Sequence, residues 1–321
     1  MGTTNAETTP APFLPFEEST RKRNPILNSL QLVGTIFAAL LGLAFGSFLN
    51  VFLARFPEGE SIVAPRSHCR HCEHTLAWWA NLPILSWIIL RGRCRSCQTS
   101  IGIRYPLVEF AIGVLWTLCW LRYSNPIFAT DTASLEVPHP LASSLVQIIG
   151  SAILCWLLVA LAALDAEFFW LPDWLTLPGI AAGFLFALLE AWSHSYLAQL
   201  PNVLHAAWHT ALAILISGGI ILIIRLAYWL VRRREGIGLG DAKLMAMLGA
   251  WFGLRGALES FILAVLFACL AAIVWLVILT VRRNTGDWAK MPLPLGTFLC
   301  AAGLIEVFYP DWLLNPAHFG L

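Results

Sequence analysis

The sequence predicts an all-α polytopic membrane protein, with about eight transmembrane helices and one small zinc-ribbon-like loop outside the bilayer. Three observations predict it. Charged residues make up 12% of the 321 positions and apolar residues 58%, roughly half the charge of a water-solvated domain. Apolar runs recur at the length of about 20 residues that a helix needs to cross a ~30 Å hydrocarbon core. Basic residues gather between alternate runs, as the positive-inside rule expects. The net charge of +1 gives no electrostatic case for a nucleic-acid partner; the lipid bilayer is the partner that composition implies.

Residues 1–28 are polar and rich in Pro, Thr and Glu, with Arg21, Lys22 and Arg23 just ahead of the first apolar run. This reads as a disordered tail leading into a retained helix, not as a cleaved signal peptide. The first crossing spans 29–53, a loop domain 54–105, and a membrane-embedded core 106–321. Within the core, crossings fall near 106–122, 142–164, 174–192, 207–230, 241–254, 257–281 and 292–309. Placing the 54–105 loop in the cytoplasm puts 14 of the 20 basic residues on that side, seven of them arginines from Arg55 to Arg104. The others are Arg232, Arg233, Arg234, Lys243, Arg282, Arg283 and Lys290. The middle of the loop, Leu76 to Leu90, is apolar, too short to span and broken by Pro83. It is expected to lie on the membrane surface with its tryptophans at headgroup level.

Inside the loop stand Cys69-Arg-His-Cys72 and Cys94-Arg-Ser-Cys97, 21 residues apart. Each Cys-x-x-Cys turn aims two thiolates at one point, and two such turns complete the tetrahedral shell that Zn2+ prefers. A cytoplasmic location disfavours the alternative, disulfides. With no open coordination position, the metal is expected to be structural, stapling a small loop. His68, His71 and His74 crowd the first pair as substitute ligands. Cys119, Cys155, Cys269 and Cys300 lie singly in apolar segments and read as packing residues.

Carboxylates at a membrane edge need a reason. Asp165 ends a long apolar run, at the helix terminus where a negative charge opposes the macrodipole. Asp173, in Leu171-Pro-Asp173, precedes the next run and reads as an N-cap. Asp241, in Gly238-Leu-Gly240-Asp241-Ala-Lys243, also precedes an apolar run. The two glycines allow close backbone approach where an extended substrate could lie. The topology brings Asp165 and Asp241 to one face at similar depth. Two converging carboxylates that share a proton can run aspartyl protease chemistry, one activating water and the other polarising the scissile carbonyl. The helix dipoles assign the proton to Asp165 and the charge to Asp241.

At these residues the chain resembles the type IV prepilin peptidases, a family of Gly-x-Gly-Asp membrane aspartyl proteases. The likeness runs through Gly46-Ser-Phe-Leu-Asn50, Arg55-Phe-Pro57, Pro65-Arg-Ser-His-Cys69, Trp78-Trp79, Asn81-Leu-Pro83 and Arg91-Gly-Arg-Cys94. It continues through Arg104-Tyr-Pro-Leu-Val-Glu109 and both aspartate motifs. The resemblance implies leader cleavage of prepilins and pseudopilins, after a Gly, at the cytoplasmic face of the bacterial inner membrane. Asp165 and Asp241 would be the catalytic pair, Gly238, Gly240, Lys243 and Asp173 would support it, and Cys69, Cys72, Cys94 and Cys97 would hold zinc. It also implies N-methylation of the new N-terminus with S-adenosylmethionine, to which Glu109 is a candidate contributor. Read alone, Glu109 is an acidic residue in a helix's first turn. The chain departs from the family at Gly296-Thr297-Phe298, where Gly-Pro-Phe is usual, at Glu167, and in its N-terminal extension. The rival reading is a transporter or proton relay using intramembrane groups such as Glu190, Glu259, His205, His209 and Arg225. Clustering of the best-marked carboxylates at one face argues against it.

Overall fold

The computed structural model describes residues 25–64, 66–124, 140–193, 200–233, 238–281 and 293–310. The tail's first 24 residues and Arg234, Arg282, Arg283 and Lys290 lie outside them. Water is absent from a bilayer core, so each backbone N–H and C=O must be paired within its own segment, and helices result. They are α1 (Pro25–Arg55), α2 (Leu85–Ile89), α3 (Arg104–Tyr123), α4 (Pro140–Phe168), α5 (Asp173–Ser193), α6 (Leu200–Arg232), α7 (Leu239–Val281) and α8 (Leu295–Phe308). Among the described residues, β structure is limited to two isolated bridges in the loop, His68–Thr75 and Arg93–Ser100.

Five of these helices, α1, α4, α5, α6 and α7, are long and apolar enough to cross a membrane; α8 is apolar but shorter. Each of the eight expected crossings falls on a helix. The sixth and seventh are two halves of α7, divided at Gly253, whose φ of 70° and ψ of −177° are non-helical. A Cβ there would meet nothing within 4 Å, so glycine is required by conformation and not by space. The first half of α7 is the buried axis of the fold: Leu244, Met245, Met247 and Leu248 are wholly inaccessible. Helices α5, α6 and α8 pack around α7, and α4 closes against α8 and α5.

The other packing unit is α1 against α3. Cβ atoms added at Gly42 and Gly46 would fall 2.8 Å from Ile112 O and 2.7 Å from Glu109 Cα, so these glycines set how closely the two backbones meet. The outer face of α1 exposes Leu32, Val33, Phe37 and Leu40 at 60% or more. A surface of this kind suits lipid and would not persist in water.

The loop departs from expectation in one respect. Leu85, Ile88 and Ile89 are exposed, as a surface-lying segment requires. Trp87 instead turns inward to donate its indole N–H to Ile101 O at 3.1 Å, and Trp79 stacks under the Arg95 guanidinium, 5.4 Å from the ring centre.

Candidate functional site

Three groups of polar residues lie at the end of the bundle where α1 runs into the loop. The first is the cysteine cluster. Cys69, Cys72, Cys94 and Cys97 bring their sulfurs within 4.8 Å of one another. Their arrangement comes from two copies of one turn. Cys69 N–H donates to His74 O and Glu73 N–H to Cys69 O, at 3.0 and 2.8 Å; Cys94 N–H donates to Thr99 O and Gln98 N–H to Cys94 O, at 2.8 and 3.0 Å. Glu73 and Gln98 close the turns at φ of 57° and 58°. The Cys69–Cys97 sulfur separation of 3.7 Å is far from a ~2.0 Å disulfide. It matches the edge of a tetrahedron with metal–sulfur bonds of about 2.3 Å. Backbone N–H groups of Cys72 and His71 lower the Cys69 thiol pKa. The side chain and backbone of Thr99 hold Cys97 down to about 6. These two shifts favour the thiolate, the ligating form, while Cys72, despite the His74 backbone N–H, is pushed up to about 11 by burial and its sulfur neighbours. The three histidines are not part of the cluster. Cys119 and Cys155, expected to stand singly, meet at 3.9 Å between α3 and α4.

The second group is the aspartates. Asp165, in the last turn of α4, is 5% exposed. Its Oδ2 accepts the Thr297 backbone N–H at 2.6 Å and the Thr297 hydroxyl at 3.0 Å. Thr297 is the third residue of α8, so the donor is one of the orphan amides of a helix N-terminus. Asp241 lies in the first turn of α7, and its Oδ2 accepts the Gly238 N–H at 3.2 Å. This is the reach-back of an N3 carboxylate, not an N-cap. Leu171 ties the two places together. It lies 2.9 Å from the Cβ positions of both Gly240 and Gly296, and the Gly296 Cβ would also lie 2.9 Å from the Asp165 carboxyl. Asp165 and Asp241 are near enough to feel each other's charge, and Cys300 is buried in the adjoining core.

Asp173 is not the expected N-cap. It is the first residue of α5, Pro172 O accepts the Leu175 and Thr176 N–H groups, and the carboxylate pairs with Lys243 Nζ at 2.5 Å. That pair joins the starts of α5 and α7. Arg104 and Glu167 form a second ion pair between α3 and the end of α4, and Phe56 stacks on Trp170 at 5.9 Å. These contacts fasten the α1–α3 unit beside Asp165.

The third group surrounds a cavity of about 640 Å³ between α1, α3 and the loop, with Ser47, Asn50, Trp79, Trp87, Tyr105 and Glu109 in its wall. Glu109 is not in a first turn. It is the sixth residue of α3, 8% exposed, and accepts the Ile84 N–H at 2.7 Å. Asn50 donates to Tyr105 O at 2.8 Å, while its own Oδ1 is buried without a partner. The sequence reading missed Thr297 as a donor and the cavity as a whole. The unusual residue after Gly296 was the available signal for the first; nothing in the spacing marks the second.

Residues 40–123 match the family model described as Bacterial Peptidase A24 N-terminal domain, and residues 152–277 match the Type IV leader peptidase family. A protein of Burkholderia pseudomallei (strain 1026b), named prepilin leader peptidase/N-methyltransferase, is 35% identical over 306 residues, 87% of each chain. One of Pseudomonas putida with the same name is 32% identical over 301 residues, 85% of this chain and 90% of that protein. A third, from Myxococcus xanthus (strain DK1622), is 36% identical over 226 residues, and the match spans 58% of its length. No solved structure matches the chain.

Proposed function

The chain belongs to the type IV leader peptidase family, and on that premise we propose that it is a membrane aspartic endopeptidase that removes the leaders of type IV prepilins and pseudopilins. Asp165 and Asp241 are its catalytic pair in this reading. The observation that carries it is the pairing of a buried Asp165, gripped at one oxygen by Thr297, with Asp241 across Leu171. Helix-end contacts account for one oxygen of each carboxylate and leave the meeting of the two aspartates itself to be explained. One carboxylate, ionised, takes a proton from water as the water oxygen attacks the scissile carbonyl. The other, protonated, gives its hydrogen to the carbonyl oxygen. The tetrahedral adduct then collapses, the C–N bond breaks, and the proton passes to the leaving amine. Two carboxylates that act on one scissile carbonyl in this way share one proton between them. With Oδ2 of Asp165 held by Thr297, Oδ1 is left for water. Gly238 and Gly240 leave room for an extended substrate beside Asp241, and the Lys243–Asp173 pair steadies the start of α7.

The site belongs at the cytoplasmic face of the inner membrane, since Arg55, Arg104 and Lys243 gather at the same end of the bundle. The four cysteines are the ligands for one structural Zn2+, which has no open position there and staples the loop. N-methylation of the new N-terminus, part of the relatives' printed name, is the second proposed activity and implies S-adenosylmethionine. When bound, that cofactor would supply an electrophilic methyl group to the newly exposed amine. The cavity fits such a group in volume, and its buried, unpartnered Asn50 Oδ1 calls for a donor.

The test is cleavage of a prepilin by the purified, detergent-solubilised protein beside Asp165→Asn and Asp241→Asn, with products weighed by mass spectrometry. Cleavage by wild type and silence from both variants is the expected result. Cleavage by either variant at the wild-type rate sinks the dyad.

A further inference from the structure

We propose that His205 and His209 form an open metal site, one that takes a divalent ion of the Ni2+ or Cu2+ type at the end of the bundle opposite the aspartates. The two lie four residues apart on α6, so their side chains leave the helix on the same face. Their Nε2 atoms stand 2.9 Å apart and their ring centres 4.1 Å. Both residues are exposed. Two ring nitrogens this close cannot both point a proton at the other, so at least one offers a bare lone pair. A cation in place of the shared proton takes both.

The separation bears on which ion fits. Ligands at right angles on a metal, with bonds of about 2.0–2.1 Å, lie about 2.9 Å apart, whereas a tetrahedral ion spreads them to about 3.3 Å. Right-angled nitrogen ligands are the preference of Cu2+ and Ni2+, and imidazole suits both. Between the histidines, Ala206, Ala207 and Trp208 carry no ligating atom. Among the described residues no third histidine, cysteine or carboxylate joins the pair, so water fills the other positions. The site is thus open to exchange, unlike the closed four-cysteine shell. In His-Glu-x-x-His a glutamate follows the first histidine as general base; Ala206 stands there in this chain, so the pair binds an ion without hydrolytic machinery of its own. From His205 to Arg232, α6 rises about 40 Å at 1.5 Å per residue, more than the ~30 Å hydrocarbon core. Arg232 leads to the start of α7, the aspartate end, and the histidines stand at the other end, within reach of water. Trp208 beside them is 64% exposed, as suits an aromatic at headgroup level.

The experiment is calorimetric titration of the full-length, tag-free, zinc-loaded protein in detergent with Ni2+, which thiols do not reduce as they do Cu2+. Zinc is assayed alongside, so that nickel entering the cysteine cluster is not counted. The expected result is one nickel per chain at this site. His205→Ala and His209→Ala should each weaken it at least tenfold, because losing even a group that backs a ligand costs about 10- to 100-fold. His74→Ala, in the loop, should leave the affinity unchanged. Nickel at about 100 times its Kd should also raise the thermal midpoint of wild type and of neither α6 variant. Thermal unfolding without nickel shows that both variants are folded. Nickel binding that survives either α6 substitution at wild-type strength, or none by wild type at millimolar metal, overturns the site.

Discussion

Gly296→Ala tests the site with a single methyl group. The added Cβ would fall 2.9 Å from Cγ and Oδ2 of Asp165 and 2.9 Å from Leu171 Cδ1. Ordinary contacts between such atoms lie at roughly 3.5–4.0 Å, so one side must give by about 0.6 Å or more. Gly296 is buried, and its backbone is not in the left-handed region, so the whole cost is spatial. Overpacking of this kind runs to roughly 1–3 kcal/mol. The freest way to relieve it is to turn the Asp165 carboxyl off its Thr297 donors. A misplacement of about 1 Å at a reacting group costs up to about 10²-fold in rate. The expected outcome is a 10- to 100-fold loss in kcat/KM for prepilin cleavage, carried mainly by kcat, with the chain still folded by thermal unfolding in detergent. Gly219→Ala, where a Cβ meets nothing within 4 Å, is the control and should cleave as wild type does. Full-rate cleavage by folded Gly296→Ala would show that Asp165 does not act from the position seen here.

Thr297→Val removes the hydroxyl donor to Asp165 but keeps the N–H; cleavage should fall about tenfold, and Thr297→Ser should restore it, read as the split between kcat and KM. Lys243→Met breaks an ion pair whose members are 35% and 55% exposed, so thermal unfolding should register less than about 1 kcal/mol. Metal analysis should find one zinc per chain, lost on Cys94→Ser and accompanied by early unfolding of the loop under limited proteolysis. Zinc-free wild type from zinc-replete cells would reject that assignment.

The all-helical membrane fold was legible because a bilayer leaves a chain few options: long apolar runs must be helices. The break between the sixth and seventh crossings was legible too, and it falls at Gly253. The cysteine cluster followed from two local spacings, since each Cys-x-x-Cys turn is built from neighbours in sequence. What failed were inferences about which helix end a group faces. Asp173 was expected to cap its own helix, yet it reaches Lys243, 70 residues away. Glu109 was expected at a first turn, yet it lies deeper in α3 and holds the loop through Ile84. The dipole argument put Asp165 at a helix C-terminus alone; it also stands at the N-terminus of α8, 132 residues distant, so that argument no longer separates the two aspartates.

The sequence by itself determined the helices, the thiolate cluster and the end of the bundle at which the acidic motifs lie. These depend on segment hydropathy, short spacings and the charge of connecting loops. Only the tertiary structure decided which oxygen of Asp165 is held, what stands between it and Asp241, and that a cavity opens beside Glu109 and Asn50. Those outcomes depend on how closely helices approach through glycines such as Gly46 and Gly296, and close packing between distant segments leaves no periodic trace in either one.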